Sequence, residues 1–166
     1  LEAFKVHPAS GNARLIEELA VHERLLPCWV VLPHHTGEMP EPAQLLSCMR
    51  ALGVRAVRLV PHVFGFSLDD WCSCELLAAL EQERILTIVE AAPAELASLC
   101  ARFPRLPLVG TDTNLRQMYP LLARYPSLHL SLEGASHPEM VEDVCQRFGP
   151  GRLLFASQRQ TPVFPT

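Results

Sequence analysis

Histidine, carboxylate and amide side chains recur in this sequence directly after short apolar runs. Imidazole and carboxylate groups can exchange protons with a substrate. They are also ligands that zinc and manganese accept, so three of them with a water molecule could form a hydrolytic centre. The candidate residues are His34, His62, Glu90, Asp112, Glu133 and Gln158. Each could instead be a polar residue that caps the start of a helix, and this alternative stays open at every position.

The apolar runs before these candidates predict six β-strands. Several runs contain almost no polar residue, which is typical of strands in a parallel sheet that is covered on both faces. The predicted strands are residues 28–33, 56–61, 85–91, 106–112, 128–134 and 153–158. Residues 33–35 read Pro-His-His, and adjacent side chains of an extended segment point opposite ways, so we expect at most one of His34 and His35 to face the candidate site.

An internal repeat links the strands to helices. Arginine followed by an aromatic residue and then by proline or glycine occurs at 102–104, 124–126 and 147–149. In each repeat the aromatic residue closes a helix, the next residue stops it, and a short apolar run follows. Helices are predicted near residues 13–23, 93–102 and 115–124, and others begin near Pro42, Ser67 and Ser136.

Strands that alternate with helices predict an α/β fold, either an open doubly wound sheet or a closed barrel. No glycine-rich phosphate turn follows a predicted strand, which favours the barrel. We therefore predict a (β/α)₈ TIM-type barrel that is incomplete in this chain, with about six β/α units corresponding to strands 3 to 8. Residues 1–166 would form one domain lacking its first one or two strands. In such a barrel the strand ends converge on one mouth, where the candidate residues would meet.

Composition restricts the partners. The formal charge is −4 and Lys5 is the one lysine, so no basic field is present to bind nucleic acid. No apolar run reaches the about 20 residues that cross a bilayer, so we expect no membrane contact and a cytoplasmic location. A small molecule is the expected partner, and a homo-oligomer could cover the edges of an incomplete barrel. The six cysteines are expected to be buried free thiols.

Three segments carry a resemblance to a known family. They are C-W-V-V-L-P at 28–33, G-V-R-A-V-R-L-V-P at 53–61 and R-L-L-F-A-S at 152–157. With them the chain resembles the amidohydrolase-related barrels, metal-dependent hydrolases and decarboxylases, over about residues 11–162. The resemblance implies a distorted barrel with a divalent metal, zinc or manganese, that activates water against a C–N or C–O bond or assists loss of a carboxyl group.

The positions that the family uses for metal binding are altered here. The resemblance places a His-x-His pair on a first strand before Leu1 and histidines at the ends of the fifth and sixth strands, where this chain has Glu90 and Asp112. It places an aspartate at the end of the eighth strand, where Gln158 cannot act as a general base. We therefore expect a divergent metal-dependent hydrolase. A metal-dependent decarboxylase, or a non-catalytic barrel that binds a small molecule or a partner subunit, remains the alternative.

Overall fold

Strands and helices alternate through the computed structural model, which describes residues 7–111, 114–132 and 138–156. The strands are β1 (Cys28–Val30), β2 (Ala56–Leu59), β3 (Leu86–Glu90), β4 (Leu108–Thr111), β5 (Leu128–Ser131) and β6 (Leu153–Leu154). The α-helices are α1 (Pro8–Leu19), α2 (Pro42–Ala51), α3 (Pro61–Phe64), α4 (Asp70–Gln82), α5 (Pro93–Arg102), α6 (Leu115–Arg124) and α7 (Pro138–Phe148). Two 3₁₀ helices cover His34–Thr36 and Pro150–Arg152.

The six strands form one parallel sheet in the order β1-β2-β3-β4-β5-β6. A doubly wound sheet reverses its strand order at a switch point, and this sheet does not. Consecutive parallel strands joined by right-handed crossovers place every connecting helix on the same face. The architecture is therefore that of a (β/α) barrel, of which the chain provides six strands, as the sequence predicts.

The main core lies between the sheet and its helices. Val57 and Leu59 of β2 and Val89 of β3 are completely buried in it. The helices contribute a matching apolar stripe: Leu45, Met49, Leu77, Leu80, Leu96, Leu99, Met118, Leu122 and Val144. Alternate residues of a strand point to opposite faces. Arg58 and Glu90 therefore belong to the other face of the sheet, the concave face that lines the inside of a barrel.

The repeated arginines have structural roles at the helix ends. The guanidinium of Arg102 lies 5.3 Å from the ring centre of Phe103, and that of Arg124 lies 5.5 Å from Tyr125. A fourth arginine, Arg152, follows the last repeat and donates to the carbonyls of Leu122 and Tyr125 at the end of α6, and to that of Leu128. These contacts satisfy carbonyls that a helix end leaves without intrahelical partners. The repeat therefore joins each helix to the next strand and does not itself supply chemistry.

The outer edge of β1 is closed by a side chain. The amide of Asn12 accepts a hydrogen bond from the Val30 N–H at 3.0 Å and donates one to the Val30 carbonyl at 2.7 Å. Both backbone groups of Val30 point away from β2, because the hydrogen bond to β2 is made by the next residue: the Val31 N–H donates to the Arg58 carbonyl at 3.1 Å. Asn12 thus occupies the hydrogen-bonding position of a further strand at this edge.

No helix within the described ranges is long and apolar enough to span a membrane.

Candidate active site

A cleft of about 330 Å³ lies at the carboxyl ends of β3 and β4, which we call the strand-end cleft. It is lined by His62, Glu90, Ala91, Ala92, Pro93, Thr111, Asn114 and Gln117. In parallel β/α folds this edge of the sheet carries the reacting groups, because the strand bodies are filled by the core. The cleft therefore has the position that the sequence predicts for a site.

Glu90 enters the strand-end cleft as the last residue of β3. The preceding residue, Val89, is buried under the helices, so the alternation of the strand turns Glu90 to the concave face. Its side chain is 37% exposed, and its register partner on β4 is Thr111. A carboxylate here is open to a small molecule in the cleft and to water.

Arg58 is a site residue that the sequence analysis missed. Its Nη2 atom lies 3.9 Å from Oε2 of Glu90, and its side chain is 30% exposed. The attraction is modest because both side chains are partly exposed. The contact nevertheless positions the positive charge of Arg58 beside the negative charge of Glu90 on the concave face. The sequence did contain a signal for Arg58: it stands between Val57 and Leu59, whose side chains are in the core, so the alternation of the strand places Arg58 on the opposite face.

Thr111 supplies a buried polar group to the same cleft. It is 2% exposed, and its Oγ1 atom has no hydrogen-bond partner among the described residues. Burial of a hydroxyl without a hydrogen-bond partner lowers the stability of the fold, and a bound ligand that made this hydrogen bond would remove the penalty. Asn114 and Gln117 stand next to it at the start of α6, where the Asn114 side chain accepts from the N–H of Arg116 at 3.0 Å. These groups could orient a polar substrate.

His62 reaches the strand-end cleft from a very short helix. It is the second residue of α3, a single turn that ends at Gly65 in the left-handed conformation with φ of 67°. Glycine adopts this conformation without the steric cost of a Cβ atom, which allows the chain to turn there. His62 is exposed on the wall of the cleft, where its imidazole can accept or donate a proton.

His34 lies in a different cleft. Residues His34–Thr36 form a 3₁₀ turn, closed by the Gly37 N–H donating to the His34 carbonyl at 2.9 Å. The prediction that this segment is extended is therefore wrong, and neither histidine lines the strand-end cleft. Both rings line a second cleft of about 290 Å³, the histidine–cysteine cleft, whose lining is His34, His35, Asp70, Trp71, Cys72, Cys74 and Glu75.

The candidate residues thus divide into three groups. The structure brings His62 and Glu90 together in the strand-end cleft and places His34 in the histidine–cysteine cleft. Asp112, Glu133 and Gln158 lie outside the described residues. Four further residues were not among the candidates: Thr111, Asn114 and Gln117, which line the strand-end cleft, and Arg58, which lies beside Glu90 on the concave face.

The described residues do not by themselves fit the metal that the resemblance implies. Within residues 7–111, 114–132 and 138–156, no group of three or more His, Cys, Asp or Glu side chains is arranged to hold a metal ion. Protein zinc sites use at least three such ligands. The described side chains of the strand-end cleft therefore offer acid–base chemistry and substrate binding.

Comparison with known families decides the classification. A family model described as "Amidohydrolase" matches residues 8–158, which is most of the chain. The chain belongs to the amidohydrolase family. Members of this superfamily are generally metal-dependent. No curated protein sequence matches this chain significantly.

Solved structures show the fold that this amidohydrolase-family chain shares. A 2,6-dihydroxybenzoate decarboxylase from Rhizobium is 15% identical with a TM-score of 0.64, over 93% of this chain and 66% of that protein. Dihydroorotase from Campylobacter jejuni is 15% identical with a TM-score of 0.63, over 90% and 55%. A Pseudomonas putida protein described as a 2-pyrone-4,6-dicarboxylic acid hydrolase is 21% identical with a TM-score of 0.62, over 88% and 61%. The chain therefore spans less than two thirds of each of these proteins.

Proposed function

We propose that this chain forms the substrate-binding and acid–base part of an amidohydrolase-family enzyme that hydrolyses a C–N or C–O bond in a small, carboxylate-bearing molecule. One observation carries the proposal. Arg58 and Glu90 lie 3.9 Å apart on the concave face, and Glu90 shares the strand-end cleft with His62. The site thus offers a cation for binding and two groups for proton transfer.

The substrate class follows from Arg58. A guanidinium presents its donors in a planar fork that matches a carboxylate, and it stays charged at all ordinary pH values. The names of two structural neighbours agree with this class, since one is a 2,6-dihydroxybenzoate decarboxylase and the other is described as a dicarboxylic acid hydrolase. A carboxylate on the substrate would approach Arg58 from the open side of the concave face.

Glu90 and His62 have complementary roles in the hydrolysis. Glu90 would accept a proton from the attacking water, and His62 would donate a proton to the departing nitrogen or oxygen. The Thr111 hydroxyl and the Asn114 and Gln117 amides would hold polar atoms of the substrate in place. A resident zinc or manganese ion would need ligands beyond the described residues, so no step is assigned to a metal.

Decarboxylation is the second candidate. It is favoured by the likeness to a 2,6-dihydroxybenzoate decarboxylase solved with 2,6-dihydroxybenzoate, at a TM-score of 0.64 over 94% of this chain. In that reaction the substrate loses its carboxyl group as carbon dioxide, and His62 would protonate the carbon that remains. The two reactions differ in a measurable product, since only decarboxylation releases carbon dioxide.

The substitution Arg58→Met tests the substrate class. The full-length protein would be assayed against lactones, cyclic amides and aryl acids that carry a carboxylate, with titration of released acid and detection of carbon dioxide. We expect Arg58→Met to raise KM for carboxylate-bearing substrates about tenfold or more, which corresponds to about 1.4 kcal/mol or more of lost binding. The effect on kcat should be smaller, because Arg58 binds a part of the substrate that does not react.

Arg55→Met is the matched control, because Arg55 is an exposed arginine just before the same strand. It should leave KM unchanged. An unchanged KM in Arg58→Met would remove the assignment of Arg58 as the carboxylate-binding residue.

A further inference from the structure

The histidine–cysteine cleft holds a thiol beside an imidazole. The Sγ atom of Cys72 lies 3.9 Å from Nε2 of His35, which belongs to the 3₁₀ turn after β1. Next to this pair, Nε2 of His34 lies 3.6 Å from Oε2 of Glu75. The cleft shares no lining residue with the strand-end cleft. Its chemistry is therefore separate from the proposed hydrolysis.

Two features favour nucleophilic over metal chemistry at this pair. Among the residues with described positions, no three metal-ligating side chains converge, although two histidines and two cysteines line the cleft. Cys72 is also the third residue of α4, a helix of 13 residues. The partial positive charge of a helix start stabilises a thiolate, and a neighbouring histidine can take the thiol proton.

We propose that Cys72 and His35 form a reactive thiol site that exchanges with small-molecule disulfides. The Nε2 atom of His35 accepts the proton from Sγ of Cys72, and the thiolate attacks one sulfur of the disulfide. A new S–S bond forms to Cys72 while the disulfide's own S–S bond breaks. The released half leaves as a thiolate and takes the proton from the His35 imidazolium. Cys72 is oxidised, the small disulfide is reduced, and no further reagent is needed.

The other cysteines provide internal comparisons. All six are free thiols, and the expectation that they are buried holds only for Cys100 among them. Desolvation, from partial burial of Cys28 and full burial of Cys100, raises the pKa of both thiols to about 11, so both remain protonated at neutral pH. Cys74 lines the same cleft as Cys72 and is more exposed, but among the described residues its thiol has no side-chain partner comparable to His35. If the neighbouring imidazole determines reactivity, Cys72 should react faster than Cys74. If solvent exposure alone determines it, Cys74 should react faster.

The two carboxylates that line the cleft each contact a basic side chain. Asp70 is engaged by the guanidinium of Arg102, and Glu75 is the carboxylate that faces His34. These two acids and His34 are the charged or titratable groups that line the cleft beside the two cysteines and His35. The Arg102 contact partly offsets the negative charge of Asp70, which would otherwise oppose thiolate formation.

The test uses glutathione disulfide and the full-length protein at pH 7, with peptide mass spectrometry to follow each cysteine. We expect the mixed disulfide to form at Cys72 at least about fivefold faster than at Cys74. His35→Gln should lower the Cys72 rate to that of Cys74, whereas His34→Gln should leave it within twofold of the wild type. His35 is exposed, so its replacement should not disturb the fold.

A second measurement needs no variant. At pH 7, iodoacetamide should alkylate Cys72 of the wild-type protein faster than Cys74, because the imidazole of His35 can take the proton of the Cys72 thiol. Equal rates at the two cysteines, or a His35→Gln rate equal to that of the wild type, would overturn the proposal.

Discussion

Replacing Glu90 with glutamine is expected to lower kcat for hydrolysis by about 100-fold or more, the usual size of a general-base contribution. Glutamine has almost the same shape as glutamate but cannot accept the proton of the attacking water. Because Arg58 also faces Glu90 at 3.9 Å, the neutral amide removes a charge partner without creating a cavity. The measurement is steady-state turnover of the full-length protein with the carboxylate-bearing substrates named above.

The matched control is Glu142→Gln, which changes an exposed carboxylate on α7. It should retain wild-type turnover. A Glu90→Gln enzyme with wild-type kcat would exclude Glu90 as the base. If this variant still released carbon dioxide from an aryl acid at the wild-type rate while hydrolysis was lost or absent, decarboxylation would become the better description.

Removal of the Asn12 side chain is expected to cause the largest loss of stability among single polar substitutions that we consider. Asn12→Ala deletes both hydrogen bonds to Val30 and leaves a backbone N–H and a carbonyl without partners at a buried residue. Each buried group left unsatisfied costs about 1–3 kcal/mol, so we expect a loss of about 3 kcal/mol in the free energy of unfolding. Urea denaturation followed by circular dichroism would measure it.

Two further variants separate hydrogen bonding from packing at this position. Asn12→Leu keeps the branched shape of the side chain, slightly enlarged, but none of its hydrogen bonds, so it should be destabilised about as much as Asn12→Ala. Ser10→Ala lies on the exposed side of the same helix and should change the free energy by less than about 0.5 kcal/mol. An Asn12→Leu protein as stable as the wild type would show that the amide does not protect the edge of β1.

Most of the fold could be predicted because its signals are local. Helices α5 and α6 begin and end at the predicted residues, since Pro93 starts the first of them and Arg102 and Arg124 stand at their ends. Helix α1 begins at Pro8 and ends at Leu19, earlier than the predicted residues 13–23. The early start has a local signal, since Pro8 stands at the first helical position, and it brings Asn12 in the second turn against Val30, 18 residues later in the chain.

The site was predicted less completely because its geometry depends on contacts between distant segments. Glu90 could be chosen from its place at the end of an apolar run. The role of Arg58 depends on a carboxylate 32 residues later in the chain, which local periodicity cannot indicate. The placement of His34 depends on Gly37, whose positive φ of 78° closes the 3₁₀ turn and directs both histidines toward α4.

The most direct test of the central claim is a crystal structure of the full-length protein with 2,6-dihydroxybenzoate bound. We predict that the ligand carboxylate lies about 3 Å from the Arg58 guanidinium, with the ring in the strand-end cleft beside Glu90 and Thr111. A ligand bound at the amino ends of the strands, or in the histidine–cysteine cleft with the strand-end cleft empty, would contradict the account.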